Sequence, residues 1–142
     1  MSKQLPRVTE ILQAVGLGQT YGHVPAHIME HARMRGKALH LAIQYHLEGS
    51  LDESTLHHNI AGGFTAFRRF EQESGFKALD GWVERELIHP TWKFRGHPDV
   101  FGYLNDGGGL ALLDWKTNSF DERATERQLA AYAMLWEANG SD

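Results

Sequence analysis

Two aspartates and a lysine in the second half of this 142-residue chain are spaced for chemistry on a charged group. Asp99 ends the run Gly96-His97-Pro98-Asp99, and a single tryptophan separates Asp114 from Lys116. Two carboxylates that come together repel each other unless a positive charge lies between them. Carboxylate and water oxygens are natural ligands of Mg²⁺ and Mn²⁺, and such an ion lowers the pKa of a bound water. The residue types therefore indicate metal-assisted hydrolysis, with the lysine beside the reacting group.

A predicted hairpin brings these side chains together. Strands are expected over Gly96–Leu104 and Leu110–Trp115, and the glycine-rich turn Asn105–Gly109 joins them. Positions 99 and 114 then lie roughly opposite each other, because their midpoint is close to the centre of the turn. Residues 114 and 116 are two apart, so on a strand they project from the same face. The predicted centre of the chemistry is the segment Gly96–Thr117.

The remaining periodicity predicts helices before and after this hairpin. One further strand is expected, over Trp82–His89. Apolar spacing, caps and stop signals predict four helices, over Thr9–Val15, Pro25–Glu48, Glu53–Ser74 and Glu122–Asn139. Helices, then strands, then a helix is the order of an α/β or α+β sandwich. The length predicts a single domain over residues 1–142, with a helical part (1–75) followed by a sheet and a helix (76–142).

Composition excludes several classes of protein. The chain is 42% hydrophobic and 23% charged, which is ordinary for a globular protein, and it has no cysteine, which excludes disulfides, zinc ribbons and thiol nucleophiles. No stretch approaches the roughly 20 apolar residues of a membrane span, and no secretory segment opens the chain, so a cytoplasmic location is expected. The net charge of −4 argues against nonspecific coating of nucleic acid. It is compatible with acidic residues that hold cations.

The central motif resembles that of a known enzyme superfamily. Asp99 followed by Asp114-Trp115-Lys116 is similar to the PD-(D/E)XK nuclease motif, and Pro98 stands where that motif has its proline. Three more features resemble the RecB-like exonuclease branch: a helical Gly-x-x-x-His pattern, a glutamate ten residues before Gly96, and a Gln-x-x-x-Tyr pattern on a helix. These are carried by Arg35–His40, Glu86 and Gln128–Tyr132. Any one of these features is weak alone, but their order along the chain is specific.

The resemblance implies a fold, an activity and a set of site residues. It implies a restriction-endonuclease-like core and hydrolysis of DNA phosphodiester bonds with one or two Mg²⁺ or Mn²⁺ ions, with Lys116 as the catalytic lysine. The implied metal ligands are His40, Asp99, Asp114, the backbone carbonyl of Trp115 and, at a second metal or in a supporting role, Glu86. Contacts to DNA are expected from Gln128 and Tyr132, which could also steady the lysine, and from Arg35, Lys37 and Arg95.

Several alternatives remain open at the level of sequence. The favoured function is an exonuclease acting on linear DNA ends in recombination or repair, of the small phage type, in a bacterial or phage-infected cytoplasm. A homo-oligomer is expected, because so short a chain has little surface to enclose DNA. The alternatives are a structure-selective endonuclease of the same fold and a non-catalytic DNA-binding or assembly subunit. The competing structural interpretations are a packed helix histidine for His40 and a solvated strand residue for Glu86.

The end of the chain departs from the family pattern. The family core has a fourth strand after the Gln-x-x-x-Tyr helix, whereas this sequence stops at Asp142. A three-stranded mixed sheet is therefore expected, with the fourth strand missing. That strand is supplied by another subunit, or the chain is shortened, or the core manages without it.

Overall fold

The chain divides into two compact units, each assembled from separate segments of sequence. A computed structural model describes residues 4–18, 22, 24–105, 108–116 and 122–139. The first unit comprises Met1–Thr20, Arg85–Pro98 and Phe120–Asp142. The second comprises Tyr21–Glu84 and Asp99–Ser119. The chain thus leaves the second unit at Glu84 and re-enters it at Asp99. The prediction of one nuclease domain stays a prediction.

The described residues form a mixed α+β structure, which confirms the predicted class. Their four α-helices are α1 (Val8–Ala14), α2 (Ala26–Leu47), α3 (His58–Ser74) and α4 (Glu122–Asn139). Their five strands are β1 (Lys77–Val83), β2 (Leu87–Ile88), β3 (Arg95–Gly96), β4 (Val100–Tyr103) and β5 (Leu110–Leu113). The predicted third helix starts late, because Glu53–Thr55 form a separate 3₁₀ turn in which the Asp52 side chain caps the Ser54 N–H. None of the described helices has the length and apolarity needed to span a membrane.

The sheet of the second unit is antiparallel throughout the described strands, in the order β1-β4-β5. The prediction of a mixed sheet was therefore wrong. In the hairpin, Val100 pairs with Leu113 and Tyr103 with Leu110, so the next positions along the two strands are Asp99 and Asp114. This is the register predicted from the centre of the turn. The middle of that turn, Asp106-Gly107, and the predicted Thr117 end of the site lie outside the described residues.

The predicted strand Trp82–His89 is not one strand. Its first part belongs to β1, which begins earlier, at Lys77, and ends at Val83. Its last part is β2, which pairs with β3 in the first unit, so the predicted strand from Gly96 is also divided. The physical reason lies at Glu84, whose backbone has φ 52°. A non-glycine residue in this left-handed region cannot continue an extended strand.

An aromatic and aliphatic core in the second unit supports the end of β5. Its buried members come from α2 and α3, and they are Leu39, Ala42, Ile43, Ile60, Phe64 and Phe67. Trp115 packs against this cluster, with its ring edge-on to Phe67 at 5.2 Å and to Phe70 at 6.0 Å between centroids. The tryptophan side chain therefore anchors the backbone from which Asp114 and Lys116 extend.

Two adjacent glycines in α3 are expected to respond differently to alanine. A Cβ at Gly62 meets nothing within 4 Å, whereas a Cβ at Gly63 would lie 2.7 Å from Leu39 Cδ2. Gly62→Ala is therefore expected to raise the free energy of unfolding by up to about 1 kcal/mol, since alanine loses less backbone entropy in a helix. Gly63→Ala is expected to lose that gain, because the packed Leu39 side chain must move. Urea denaturation measures both, and equal stabilisation by the two variants would contradict the packing.

The first unit combines α1 and α4 with the β2–β3 hairpin. Gly96 of β3 lies against α4, since a Cβ there would be 2.8 Å from the Tyr132 ring and 3.0 Å from Leu135. Leu135 and Tyr132 are buried. The Asn139 side chain at the end of α4 donates a hydrogen bond to the Ile88 carbonyl at 2.9 Å, which links the helix to β2.

Candidate metal centre and active site

Five polar side chains of the second unit meet where its strands end. Glu84 directly follows β1, Asp99 directly precedes β4, and Asp114 directly follows β5. Lys116 comes two residues later, and His40 extends from the middle of α2. Four of the five were expected at the site, and the fifth, Glu84, was not.

Asp99 is the most deeply placed of the carboxylates, with 6% of the residue exposed. Its Oδ2 accepts a hydrogen bond of 2.6 Å from the backbone N–H of Trp115, and its Oδ1 lies 3.3 Å from His40 Nδ1. Burial alone would raise its pKa, but hydrogen bonds from His40 and Asp114 and the charge of His40 outweigh burial and lower it. The structure therefore holds Asp99 as a carboxylate.

The orientation of the His40 ring follows from its second contact. Nε2 lies 2.9 Å from the Trp115 carbonyl oxygen, which can only accept, so Nε2 carries a proton and donates it. Nδ1 faces Asp99 and donates to that carboxylate when the ring is protonated, whereas in the neutral ring Nδ1 has the lone pair that a metal ion would take. A backbone carbonyl that fixes the tautomer in this way is a usual support for a metal-binding histidine. The carbonyl itself was predicted as a metal ligand, and that role stays a prediction.

The backbone of Trp115 thus connects two of the predicted ligands, Asp99 and His40. Its N–H binds Asp99, its carbonyl binds His40, and its side chain is packed in the helical core. Burial lowers the pKa of His40, but the Asp99 carboxylate more than offsets this and raises it. The two side chains are therefore positioned by backbone atoms and not only by each other.

Glu84 was not predicted from the sequence, and it completes a group of three possible ligands with His40 and Asp99. One ligand atom each from His40, Glu84 and Asp99 lie within 4.8 Å of one another. The Glu84 N–H also donates to the Asp99 carbonyl at 2.9 Å, which closes the segment that runs through the first unit. Burial, followed by repulsion from Asp99, raises the pKa of Glu84 to about 8. A strained backbone and a displaced pKa at one residue are features of functional sites.

Glu86, the glutamate that the sequence favoured, lies in the first unit. Its carboxylate accepts a 3.1 Å hydrogen bond from Arg95 and lies 3.9 Å from His97 Nε2. Arg95, a predicted DNA contact, also donates from Nε to the Leu5 carbonyl at 2.7 Å. Metal ligation by Glu86 and phosphate binding by Arg95 stay predictions.

Asp114 and Lys116 form a close ion pair at the exit of β5, with 2.7 Å between Nζ and Oδ2. Burial and repulsion from Asp99 raise the pKa of Asp114 to about 6, and Lys116 offsets part of this. Three carboxyl groups thus share the site with one histidine and one lysine. Such a set of oxygen donors with one imidazole fits a divalent cation of the Mg²⁺ or Mn²⁺ type, whose charge would relieve the repulsion.

Two clefts border these residues within the second unit. One, of about 460 Å³, includes Arg35, Asp114 and Lys116 in its lining. The other, of about 450 Å³, includes Lys37, His40 and Glu84. The predicted phosphate-binding residues Arg35 and Lys37 therefore each share a cleft with part of the carboxylate site.

Gln128 and Tyr132 lie on α4 in the first unit. Gln128 Nε2 donates a 3.0 Å hydrogen bond to the Tyr132 hydroxyl, so the two side chains share a face of the helix, as their spacing predicts. Tyr132 is buried at 6% exposure. Contact of this pair with DNA, or support of Lys116 by it, stays a prediction.

The stability of the metal-free protein is expected to fall as pH rises from about 4.5 to about 8. The pKa of Glu84 is raised from 4.5 to about 8, so over this range the folded state holds a proton that the unfolded chain has released. Asp114 (raised from 3.8 to about 6) and His40 (raised from 6.5) act in the same direction, whereas the lowered pKa of Asp99 acts below 3.8. The stabilisation contributed by these three groups is thus fully present at the acid end of this range and is lost as the pH rises towards 8.

Denaturation in urea with EDTA at pH 5 and pH 8 measures this difference. Glu84→Gln is expected to reduce the pH dependence, because an amide does not titrate. Glu86→Gln is the matched control, with the same change two residues away in the other unit. An unchanged pH dependence in Glu84→Gln would show that Glu84 is not the titrating group.

Comparison with protein-family models, with curated proteins and with solved structures finds no match to this chain. The likeness to PD-(D/E)XK nucleases therefore rests on the motifs of the sequence, and the restriction-endonuclease-like core stays a prediction.

Proposed function

We propose that this chain is a Mg²⁺- or Mn²⁺-dependent deoxyribonuclease whose centre is His40, Glu84, Asp99, Asp114 and Lys116. The observation that carries the proposal is the meeting of His40, Glu84 and Asp99 ligand atoms within 4.8 Å, beside a lysine 2.7 Å from Asp114. In a cluster that served only stability, each acidic group would have a basic partner. This site instead places three carboxyl groups against two basic side chains, an excess of negative charge that a bound cation would balance.

Each residue has a role that follows from its contacts. His40 through Nδ1 and the carboxylates of Asp99, Asp114 and Glu84 would hold the ion, which supplies polarisation of the phosphate and a lowered pKa for water. Lys116 would orient the attacking water and balance the charge that develops on the phosphate oxygens. Arg35 and Lys37, which line the adjoining clefts, would bind neighbouring phosphates.

The reaction is a hydrolysis with a simple balance of atoms. A water oxygen attacks phosphorus while the bond from phosphorus to one deoxyribose oxygen breaks. The attacking water releases one proton to the solvent and the leaving oxygen takes up one proton, so none is gained or lost overall. Lys116 would donate the proton to the leaving oxygen and recover one from the solvent, since its ammonium group lies beside Asp114 at the edge of the centre.

Incubation of linear, circular and end-labelled DNA with Mn²⁺, Mg²⁺ or EDTA tests the proposal. We expect loss of linear DNA that requires the metal, together with Mn²⁺ binding by calorimetry. Cleavage of closed circles would assign an endonuclease of the same chemistry. DNA binding without any metal-dependent cleavage would overturn the proposal in favour of a non-catalytic binding subunit.

A further inference from the structure

The cleft beside Asp114 and Lys116 has a lining that metal chemistry does not require. Its volume is about 460 Å³, within the roughly 300–1,000 Å³ range of small-molecule pockets. Most of its wall comes from α2 and α3 and is apolar. The large apolar residues of the lining are Leu39, Ile43, Ile60, Phe67, Phe70 and Trp115.

The polar groups of this cleft are few and mainly basic or amide. They are Arg35, Asn59 and Lys116, together with the metal-site residue Asp114. An apolar, partly aromatic wall suits the face of a flat ring, and an amide suits its polar edge. Arg35 and Lys116 suit the negative charge of an attached phosphate. This combination matches one nucleotide with its base in the cleft.

We propose that the cleft receives a single unpaired nucleobase of the strand being cleaved, and that the protein therefore prefers single-stranded ends to blunt duplex. The inference rests on the proposed nuclease function. A base inside a duplex is stacked on its neighbours and bonded to its partner, so it can enter a pocket only after it leaves the stack. Because Asp114 and Lys116 belong to the same lining, the phosphate of the seated nucleotide lies at the metal centre.

Abasic substitution in the DNA tests whether the cleft binds a base, without any change to the protein. Single-stranded oligonucleotides are made with one abasic position moved stepwise from the end. Single-turnover cleavage with Mn²⁺ and fluorescence anisotropy in EDTA are measured for each oligonucleotide. We expect one position at which the missing base weakens binding and slows cleavage about tenfold, the scale of one base stacked on aromatic side chains.

A matched pair of variants tests the cleft itself. Ala66 lies on the exposed surface of α3 and lines the cleft, so Ala66→Phe is expected to fill it without disturbing the core. Ala61, also exposed on α3, is absent from the lining, and Ala61→Phe is the control. Ala66→Phe should weaken binding of intact single strands about tenfold and leave binding of the critical abasic strand unchanged, while Ala61→Phe changes neither.

Several results would overturn the inference. They are an abasic series with no sensitive position, equal effects of Ala66→Phe and Ala61→Phe, or equal cleavage of blunt duplex and single strands. If metal-dependent cleavage persists in these cases, only the base seat is wrong. If neither DNA binding nor metal-dependent cleavage is found, the proposed function fails as well. Circular dichroism of both variants establishes that any loss is not due to unfolding.

Discussion

Asp114→Asn is expected to lower DNA cleavage at least about a thousandfold and Mn²⁺ affinity at least about a hundredfold, while the metal-free protein becomes harder to unfold. Loss of a ligand explains the first two effects, since an amide oxygen carries no charge for the ion. The third effect distinguishes a metal centre from a cluster that serves stability. A residue that stabilised the fold through its charge would destabilise it on replacement.

The expected gain in stability of Asp114→Asn follows from the free-energy cost of the buried Asp114 carboxylate. Burial and the neighbouring Asp99 raise the pKa of Asp114 from 3.8 to about 6, so the folded protein at neutral pH holds an unfavourable carboxylate. An amide of the same shape removes that cost, and Lys116 loses a partner. We expect a net gain of about 1 kcal/mol in the free energy of unfolding in EDTA.

Asp80→Asn is the matched control, because Asp80 is exposed on β1 of the same unit and undergoes the same change of charge. Isothermal calorimetry with Mn²⁺ and urea denaturation in EDTA measure the two properties separately. Retention of Mn²⁺ binding and cleavage by Asp114→Asn would refute the metal centre. A loss of metal-free stability would instead assign Asp114 a structural role.

Lys116→Met is expected to lower cleavage about 10²- to 10⁴-fold without weakening Mn²⁺ binding. Methionine keeps much of the length of the lysine side chain and removes its charge and its proton. Because the ammonium group lies 2.7 Å from Asp114 Oδ2, its removal leaves that carboxylate more available to a cation. Mn²⁺ affinity should therefore stay the same or rise, while the chemical step slows.

Lys77→Met provides the control, since Lys77 is an exposed lysine on β1 of the same unit. Single-turnover cleavage at saturating Mn²⁺ separates the chemical step from binding of the ion. If Lys116→Met cleaves at the original rate, the lysine has no part in the reaction. If it loses Mn²⁺ binding as Asp114→Asn does, the lysine acts by holding the site together.

Local patterns in the sequence were sufficient for the last helix and for the central hairpin. The last helix occupies Glu122–Asn139, as its periodicity predicts, and the pairing of Val100 with Leu113 follows the register set by the turn. Both depend on residues close in sequence, whose spacing sets the geometry directly. The extent of β1 was not predictable in this way, because its end is set by the left-handed backbone at Glu84.

Which glutamate approaches Asp99 was decided by the tertiary structure. Glu84 and Glu86 are two residues apart, so the alternation of a strand places them on the same face and cannot separate them. In the structure the chain leaves the second unit directly after Glu84, and Glu86 pairs with Arg95 in the first unit. A hydrogen bond from the Glu84 N–H to the Asp99 carbonyl joins the two points at which the chain leaves and re-enters the second unit.

The sequence by itself determined how the charged residues from 99 to 116 are arranged, because one hairpin sets both the register of the aspartates and the side from which Lys116 extends. The resemblance added His40, but only the fold brings it to the site. His40 and Trp115 are 75 residues apart, and they meet because Trp115 packs on the α2–α3 core. Contacts of that kind depend on the packing of distant segments, which no local spacing specifies.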